Sequence, residues 1–317
     1  MASVIFMGTP EFAATILEGI IAADYDVKAV VTQPDRYTGR KRILTASPVK
    51  QVAVSHGIPV YQPQKLGKST ELAQLIEIKP DLIITAAFGQ FLPMSLINSA
   101  KIAAVNVHGS LLPKYRGGAP VQYAIMNGED KTGVTLIYMI KKMDAGDMLA
   151  QAELPILPDD DNGTIFTKMS LLGRDVLIKT LPKIIRGEVT AIKQDEAAAT
   201  FAPVISAEQE KLSLDLTAQQ LDYMIRALRP QPGPYFEKLL NKRTKLWDIR
   251  PLDEKTEYKP GVVVFVDKKQ LKVAAARGSV YEIKEIQPAG KPRMTINNFL
   301  NGQGQGIKVG QRIIADE

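Results

Sequence analysis

Asn106 and His108 stand two residues apart, just ahead of a loop rich in proline and glycine, Gly109-Ser110-Leu111-Leu112-Pro113-Lys114-Tyr115-Arg116-Gly117-Gly118-Ala119-Pro120. The preceding residues, Ile102 to Val107, are mostly small and apolar and read as a buried strand. Side chains alternate along a strand, so Asn106 and His108 share one face. An amide N–H and a protonated imidazole N–H are two donors able to hold the oxygen of a carbonyl that becomes tetrahedral. The imidazole can also move protons near neutral pH. Its plainer use would be to cap the strand or satisfy a backbone carbonyl. The other histidine, His56, falls in a helix-to-strand turn, which leaves His108 as the candidate imidazole catalyst. Asp144, in Met143-Asp144-Ala145-Gly146-Asp147, follows a second strand-like run, Val134 to Ile140. A carboxylate there can orient His108 or relay protons, and its plainer use is turn formation.

The elements that must position these groups follow from apolar spacing. Val4 to Met7 reads as a buried strand, and Glu11 to Ile21 as a helix with Phe12, Ile16 and Ile20 on one face. This strand–Gly–helix opening lacks G-x-G-x-x-G, and no acidic residue closes the second strand, so a dinucleotide site is poorly supported. Leu82 to Ala87 is an apolar strand suited to the centre of a parallel sheet. It leads into Phe88-Gly89-Gln90-Phe91-Leu92-Pro93, and open α/β sheets bind ligands at the carboxyl ends of their strands. Core packing is the plainer use of Phe88 and Phe91. Pro34 to Leu44 is a long, basic connection carrying Arg36, Arg40, Lys41 and Arg42, readable as a solvated loop or as a mobile finger that grips phosphates. Asp159-Asp160-Asp161 reads as the cap of a helix through Ile165, Met169, Leu172 and Val176, which Pro182 kinks or ends. Phe201 to Ser206 reads as a linker. Beyond it Thr217-Ala218-Gln219-Gln220 opens a helix with a capping box. Short strands then follow at Val262–Val266, Leu271–Ala276, Val280–Ile286 and Ile307–Ile314, the pattern of a small β-barrel.

A chain of 317 residues has room for two domains. We expect an α/β, doubly wound, mostly parallel sheet domain over residues 1–205 and a smaller β-barrel over residues 206–317. No apolar run approaches 18 residues, and the N-terminal apolar run is too short for a signal peptide, so neither a membrane span nor export is expected. The chain has no cysteine, which excludes disulfides, thiolate zinc sites and a Cys nucleophile; two histidines leave no His-rich metal site, so no metal is expected. A reducing cytoplasm is the expected setting. The net charge is +6. From Ser206 on there are 19 Lys and Arg against 14 Asp and Glu, and before it 21 against 20. A positive excess gathered in the last third suits a nucleic-acid-facing appendage, or simply a small basic domain.

The run N-x-H-x-S-L-L-P-x-x-R-G-x-x-P from Asn106 to Pro120, followed by M-D-x-G-D at Met143 to Asp147, resembles the folate-dependent formyltransferases. Phe6-Met7-Gly8-Thr9-Pro10-Glu11-Phe12-Ala13, Pro34-Asp35-Arg36 and Ser47-Pro48-Val49-Lys50, with the C-terminal extension, resemble the members of that family that act on tRNA. The resemblance implies formyl transfer from 10-formyltetrahydrofolate, a co-substrate, to the α-amine of initiator methionyl-tRNA. It implies that Asn106, His108 and Asp144 are catalytic. It implies that Phe88, Gly89, Gln90 and Leu92, with Ser110, Leu111, Leu112 and Pro113, hold the pterin. Arg36, Arg40, Lys41 and Arg42 would contact the acceptor arm, and the C-terminal barrel would be OB-like. A monomer is expected. The alternatives are a formyltransferase acting on a nucleotide sugar, glycinamide ribonucleotide or another small amine, a formyltetrahydrofolate hydrolase, or a non-catalytic RNA-binding relative.

Overall fold

The computed structural model describes residues 1–39 and 42–315. In chain order the elements are β1 Ser3–Gly8, α1 Glu11–Ala22, β2 Asp26–Val31, β3 Arg36–Thr38, β4 Ile43–Thr45, α2 Pro48–Ser55, β5 Val60–Tyr61, α3 Glu71–Glu77, β6 Leu82–Ala86, α4 Met94–Ile97, β7 Ala103–His108, α5 Pro120–Met126, β8 Lys131–Tyr138, β9 Met148–Pro155, α6 Asn162–Ile185, α7 Ala218–Leu228, β10 Tyr235–Leu239, β11 Lys242–Lys255, β12 Val263–Val266, β13 Leu271–Ala274, β14 Ser279–Pro288, β15 Met294–Thr295 and α8 Ile296–Leu300. The chain divides into two units. One holds Met1–Pro120, Lys131–Pro155 and Ile165–Pro203. The other holds Val121–Asp130, Ile156–Thr164 and the chain from Val204 on.

The first unit is a seven-stranded mixed sheet of order β5-β2-β1-β6-β7-β8-β9. β1, β2, β5, β6 and β7 run parallel, whereas β8 and β9 are antiparallel additions. Strands with helices on both faces must be apolar throughout. Val4 to Met7 and Leu82 to Ile84 accordingly have no exposed surface. The chain winds outward from β1 to β2 and β5, then returns to β6 beside β1. That reversal puts a topological switch point between the carboxyl ends of β1 and β6, the usual place for a ligand in such a sheet. The α/β expectation is borne out.

Pro182 does not end α6, which runs on to Ile185. It falls in the last turn, so the one N–H it removes and the clash of its ring with the Ile178 carbonyl disturb only the C-terminal end of the helix. Asp161 caps the start of that helix, its Oδ1 accepting the Thr164 N–H at 2.9 Å. The basic connection after β2 is not irregular. β3 and β4 pair antiparallel, Arg36 with Thr45 and Thr38 with Ile43, into an exposed hairpin.

In the second unit β10-β11-β14-β13-β12 form an antiparallel sheet, with β15 added to β14. β11, at 14 residues the longest strand, was not anticipated, because charged residues interrupt its alternation and bulges shift its register. Conversely, Ile307–Ile314 is not a continuous strand. It makes single bridges, Arg312 to Val262 and Ile314 to Leu239, which link the β12 and β10 edges and close the sheet into a barrel. The barrel expectation is borne out. Its core includes Leu246, Val263, Val273, Ile283 and Ile314. α7 begins with the capping box Thr217–Gln220 and lays Leu221 and Ile225 on that core.

Candidate active site

Parallel pairing sets Thr85 of β6 beside Asn106 of β7. The Thr85 hydroxyl donates to Asn106 Oδ1 at 2.7 Å. With its oxygen occupied, the amide turns its Nδ2 toward Asp144 Oδ1, 3.3 Å away. Asp144 sits in the turn between β8 and β9 with φ of 49°, in the left-handed region that Asp and Asn tolerate best among side-chain-bearing residues. Its Oδ2 accepts the backbone N–H of Gly117 at 3.0 Å and lies 3.7 Å from His108 Nδ1. The structure therefore brings Asn106, His108 and Asp144 together, as expected from the sequence.

His108 is 5 % exposed, and its Nε2 lies 2.9 Å from the carbonyl of Tyr115. A carbonyl only accepts, so Nε2 carries the proton. The imidazole thus satisfies a backbone carbonyl and also faces the carboxylate. Only Nδ1 is turned toward the cluster, which narrows the donors available to a substrate oxygen.

Loop 109–117 is held from beneath. Thr135 Oγ1 donates to Ser110 O at 2.6 Å and accepts the Leu112 N–H at 3.1 Å. Gln151 Nε2 reaches Leu112 O at 3.0 Å and Thr135 Oγ1 at 2.9 Å. Ser110 and Leu112 are buried, the Ser110 hydroxyl donating to Lys114 O at 2.7 Å, whereas Leu111 and Pro113 are part-exposed. In the other loop Phe88 turns into the core and its carbonyl accepts from Gln33 Nε2 at 3.1 Å and Thr9 Oγ1 at 3.3 Å. Gln90 anchors residues 63–66 through Leu66 N–H and Pro63 O. Gly89, with φ of 82°, is exposed, Leu92 is part-exposed, and Phe91 is 71 % exposed. What these two loops offer a ligand is backbone and small surface at strand ends, more than buried side chains.

Arg36 and Arg42 are exposed on the hairpin, with Arg42 5.6 Å from the Tyr37 ring centroid. Arg40 and Lys41 lie outside the described residues. The hairpin base is tied down by Lys50 on Asp35 at 2.7 Å and by Gln62, which donates to Asp35 Oδ1 at 2.7 Å. These bonds, the Lys50 one foremost, hold the Asp35 carboxyl below the usual range.

Several groups at the site escaped the sequence reading. Thr85 is the one hydroxyl in an apolar strand, a visible signal. Arg116 belongs to the quoted motif yet had no role; it is 1 % exposed and forks onto Glu196 at 3.1 and 3.0 Å. Lys142 meets the same carboxylate at 2.5 Å. Arg116 first, then Lys142, lowers the Glu196 carboxyl from 4.5 to about 2. A depressed carboxyl stabilises the fold above its unfolded pKa and loses that contribution as pH falls through the folded one. The contribution of Glu196 is therefore complete above 4.5 and fades toward about 2. Glu196→Gln should lower the urea midpoint at pH 5, and the gap from wild type should close in acid. Glu196 is half-exposed, so the gap will be small. An equal gap at pH 5 and at pH about 2.5 would contradict the assignment.

A family model described as formyl transferase matches residues 1–181, and one described as formyl transferase, C-terminal domain, matches residues 204–304. The chain belongs to the formyltransferase family. Among its relatives, a methionyl-tRNA formyltransferase of Ligilactobacillus salivarius is 66 % identical over 317 residues, covering 100 % of both chains. One of Lactiplantibacillus plantarum is 58 % identical over 316 residues and 99 % of both. Of solved structures, an N-formyltransferase from Helicobacter canadensis, in complex with folinic acid and dTDP-3-aminofucose, matches with a TM-score of 0.68 at 20 % identity, over 91 % of this chain and 100 % of that one. At that identity the likeness shows the shared formyltransferase fold. Among the described residues no helix is long and apolar enough to cross a membrane.

Proposed function

We propose that this formyltransferase moves the formyl group of 10-formyltetrahydrofolate to the α-amine of initiator methionyl-tRNA. The observation that carries this reading is the Asn106–His108–Asp144 cluster at the carboxyl end of β7, in a chain 66 % identical end to end to a methionyl-tRNA formyltransferase. The folate supplies an activated formyl carbon. Loops 87–93 and 109–114, which follow the carboxyl ends of β6 and β7, would hold its pterin through exposed backbone such as that of Gly89.

The amine nitrogen attacks the formyl carbon, and a C–N bond forms as the carbonyl π pair moves to oxygen. Asn106 Nδ2 and the Nδ1–H of a protonated His108 would hold that oxygen. His108 Nε2 is committed to Tyr115, so the imidazole can serve the reacting centre only through Nδ1. Asp144 touches Asn106 and faces His108, which suits it to orient both and to take the proton the amine sheds. That proton passes to the folate nitrogen as its bond to the formyl carbon breaks.

Arg36 and Arg42 on the hairpin, together with Arg40 and Lys41 of the same stretch of sequence, would grip phosphates of the acceptor arm, and the basic stretch from residue 206 on would bind the tRNA body. We read the domain boundary at residues 205–206, a monomeric enzyme and a cytoplasmic setting on the same basis. The test compares acceptors at equal folate concentration: methionyl-initiator tRNA, free methionine, a dTDP-amino sugar and water. Transfer to the tRNA should exceed every other by at least about 1,000-fold in kcat/KM, since binding energy from the tRNA is realised only there. Preferred transfer to the amino sugar, or formate release without an acceptor, would overturn the reading.

A further inference from the structure

The Asp144 carboxylate is useful only if the turn bearing it is fixed, and that turn has no regular ladder of its own. One side chain holds its backbone. Gln194 Nε2 donates to the carbonyls of Asp144 at 2.9 Å and of Gly146 at 2.7 Å. Its Oε1 accepts Nε and Nη2 of Arg116 at 3.0 and 2.8 Å. Gln194 is 4 % exposed, so both hydrogens and both lone pairs of the amide are spent inside the protein. Arg116 is tied at the far side to Glu196 and at its own N–H to Thr200 O, 2.9 Å away. The next residue, Gly117, donates its N–H to Asp144 Oδ2. The turn is thus gripped at backbone and at carboxylate by two neighbours of one buried arginine. Gly146 admits no side chain, since a Cβ there would lie 1.8 Å from Tyr138 O.

We infer that Gln194 is a positioning residue for formyl transfer: it sets the Asp144 carboxylate within reach of Asn106 and His108, with Arg116 as its anchor. Gln194 falls between the two stretches matched by the family models and in no motif read from the sequence. Its action through Asp144 rests on the proposed proton role of that carboxylate.

Gln194→Glu separates the two halves of the amide. It keeps both acceptors for Arg116, adds a charge that favours that pair, and replaces the donor with an oxygen facing two carbonyls. If Gln194 merely supported Arg116, the variant would match wild type. We expect kcat to fall about 10- to 100-fold, the scale of a displacement near 1 Å at a reacting centre, with KM for folate and for tRNA unchanged. Gln194→Met, uncharged and of similar length, is measured in parallel and should show the same split if the charged variant melts without cooperativity. Both are also combined with Asp144→Asn. A residue acting only through Asp144 adds nothing once the carboxylate is gone, so the double variants should match Asp144→Asn alone within about threefold. The inference fails if both single variants keep kcat within threefold of wild type, or if their losses multiply with that of Asp144→Asn. A fully active Asp144→Asn would instead sink the role assigned to Asp144 itself.

Discussion

Asp144→Asn should slow formyl transfer by roughly 100- to 10,000-fold, the usual contribution of a positioned acid–base group. The substitution keeps the size and shape of the side chain. Asn tolerates the left-handed backbone that Asp144 adopts, so the turn is not strained. Its Oδ1 can still accept the Gly117 N–H. What disappears is the charge facing His108 Nδ1, the lone pair able to take the amine's proton, and the oxygen that accepts from Asn106 Nδ2, where the new amide presents N–H to N–H. KM for folate and for tRNA should hardly change, because the lost interaction belongs to the transition state. A transfer rate within about threefold of wild type, in a variant that melts like wild type, would remove Asp144 from the mechanism.

Replacing Arg40, Lys41 and Arg42 with Ala should weaken tRNA binding and flatten its dependence on salt. Each phosphate contact contributes about 0.7–0.9 to the log–log slope, so losing three lowers it by roughly 2–3 units. Between about 50 and 200 mM salt, wild-type affinity should then fall about 20- to 40-fold further than that of the variant. Folate affinity should not move. A drop in folate binding with unchanged tRNA terms would place the hairpin at the folate pocket instead.

The strands β1, β6 and β7 were legible because fully buried parallel strands leave unbroken apolar runs such as Val4–Met7 and Leu82–Ile84. The face shared by Asn106 and His108 followed from strand alternation, and their meeting with Asp144 from the quoted motif. The barrel was harder. β11 mixes Lys, Arg, Asp and Trp on a strand with bulges, so no period-two pattern survives. The closing segment near Arg312 makes isolated bridges, which local patterning over-reads as a strand. The hairpin hid in a polar connection because both its strands are exposed and have no buried face to mark them. At the site, the meeting of Gln194 with residues near 144 spans 50 positions, a long-range hydrogen bond that composition and spacing do not encode. The tautomer of His108 was likewise set by a carbonyl seven residues on, fixed by loop geometry.

The central claim is tested most directly by the fate of the transferred carbon. Enzyme mixed with isotope-labelled 10-formyltetrahydrofolate and a full set of aminoacylated tRNAs would be quenched within one turnover, and the labelled product located by mass spectrometry. The account predicts label on the α-nitrogen of methionine esterified to initiator tRNA, and its near absence with Asp144→Asn. Label in formate, on another amine, or undiminished on methionyl-tRNA in the Asp144 variant would contradict it.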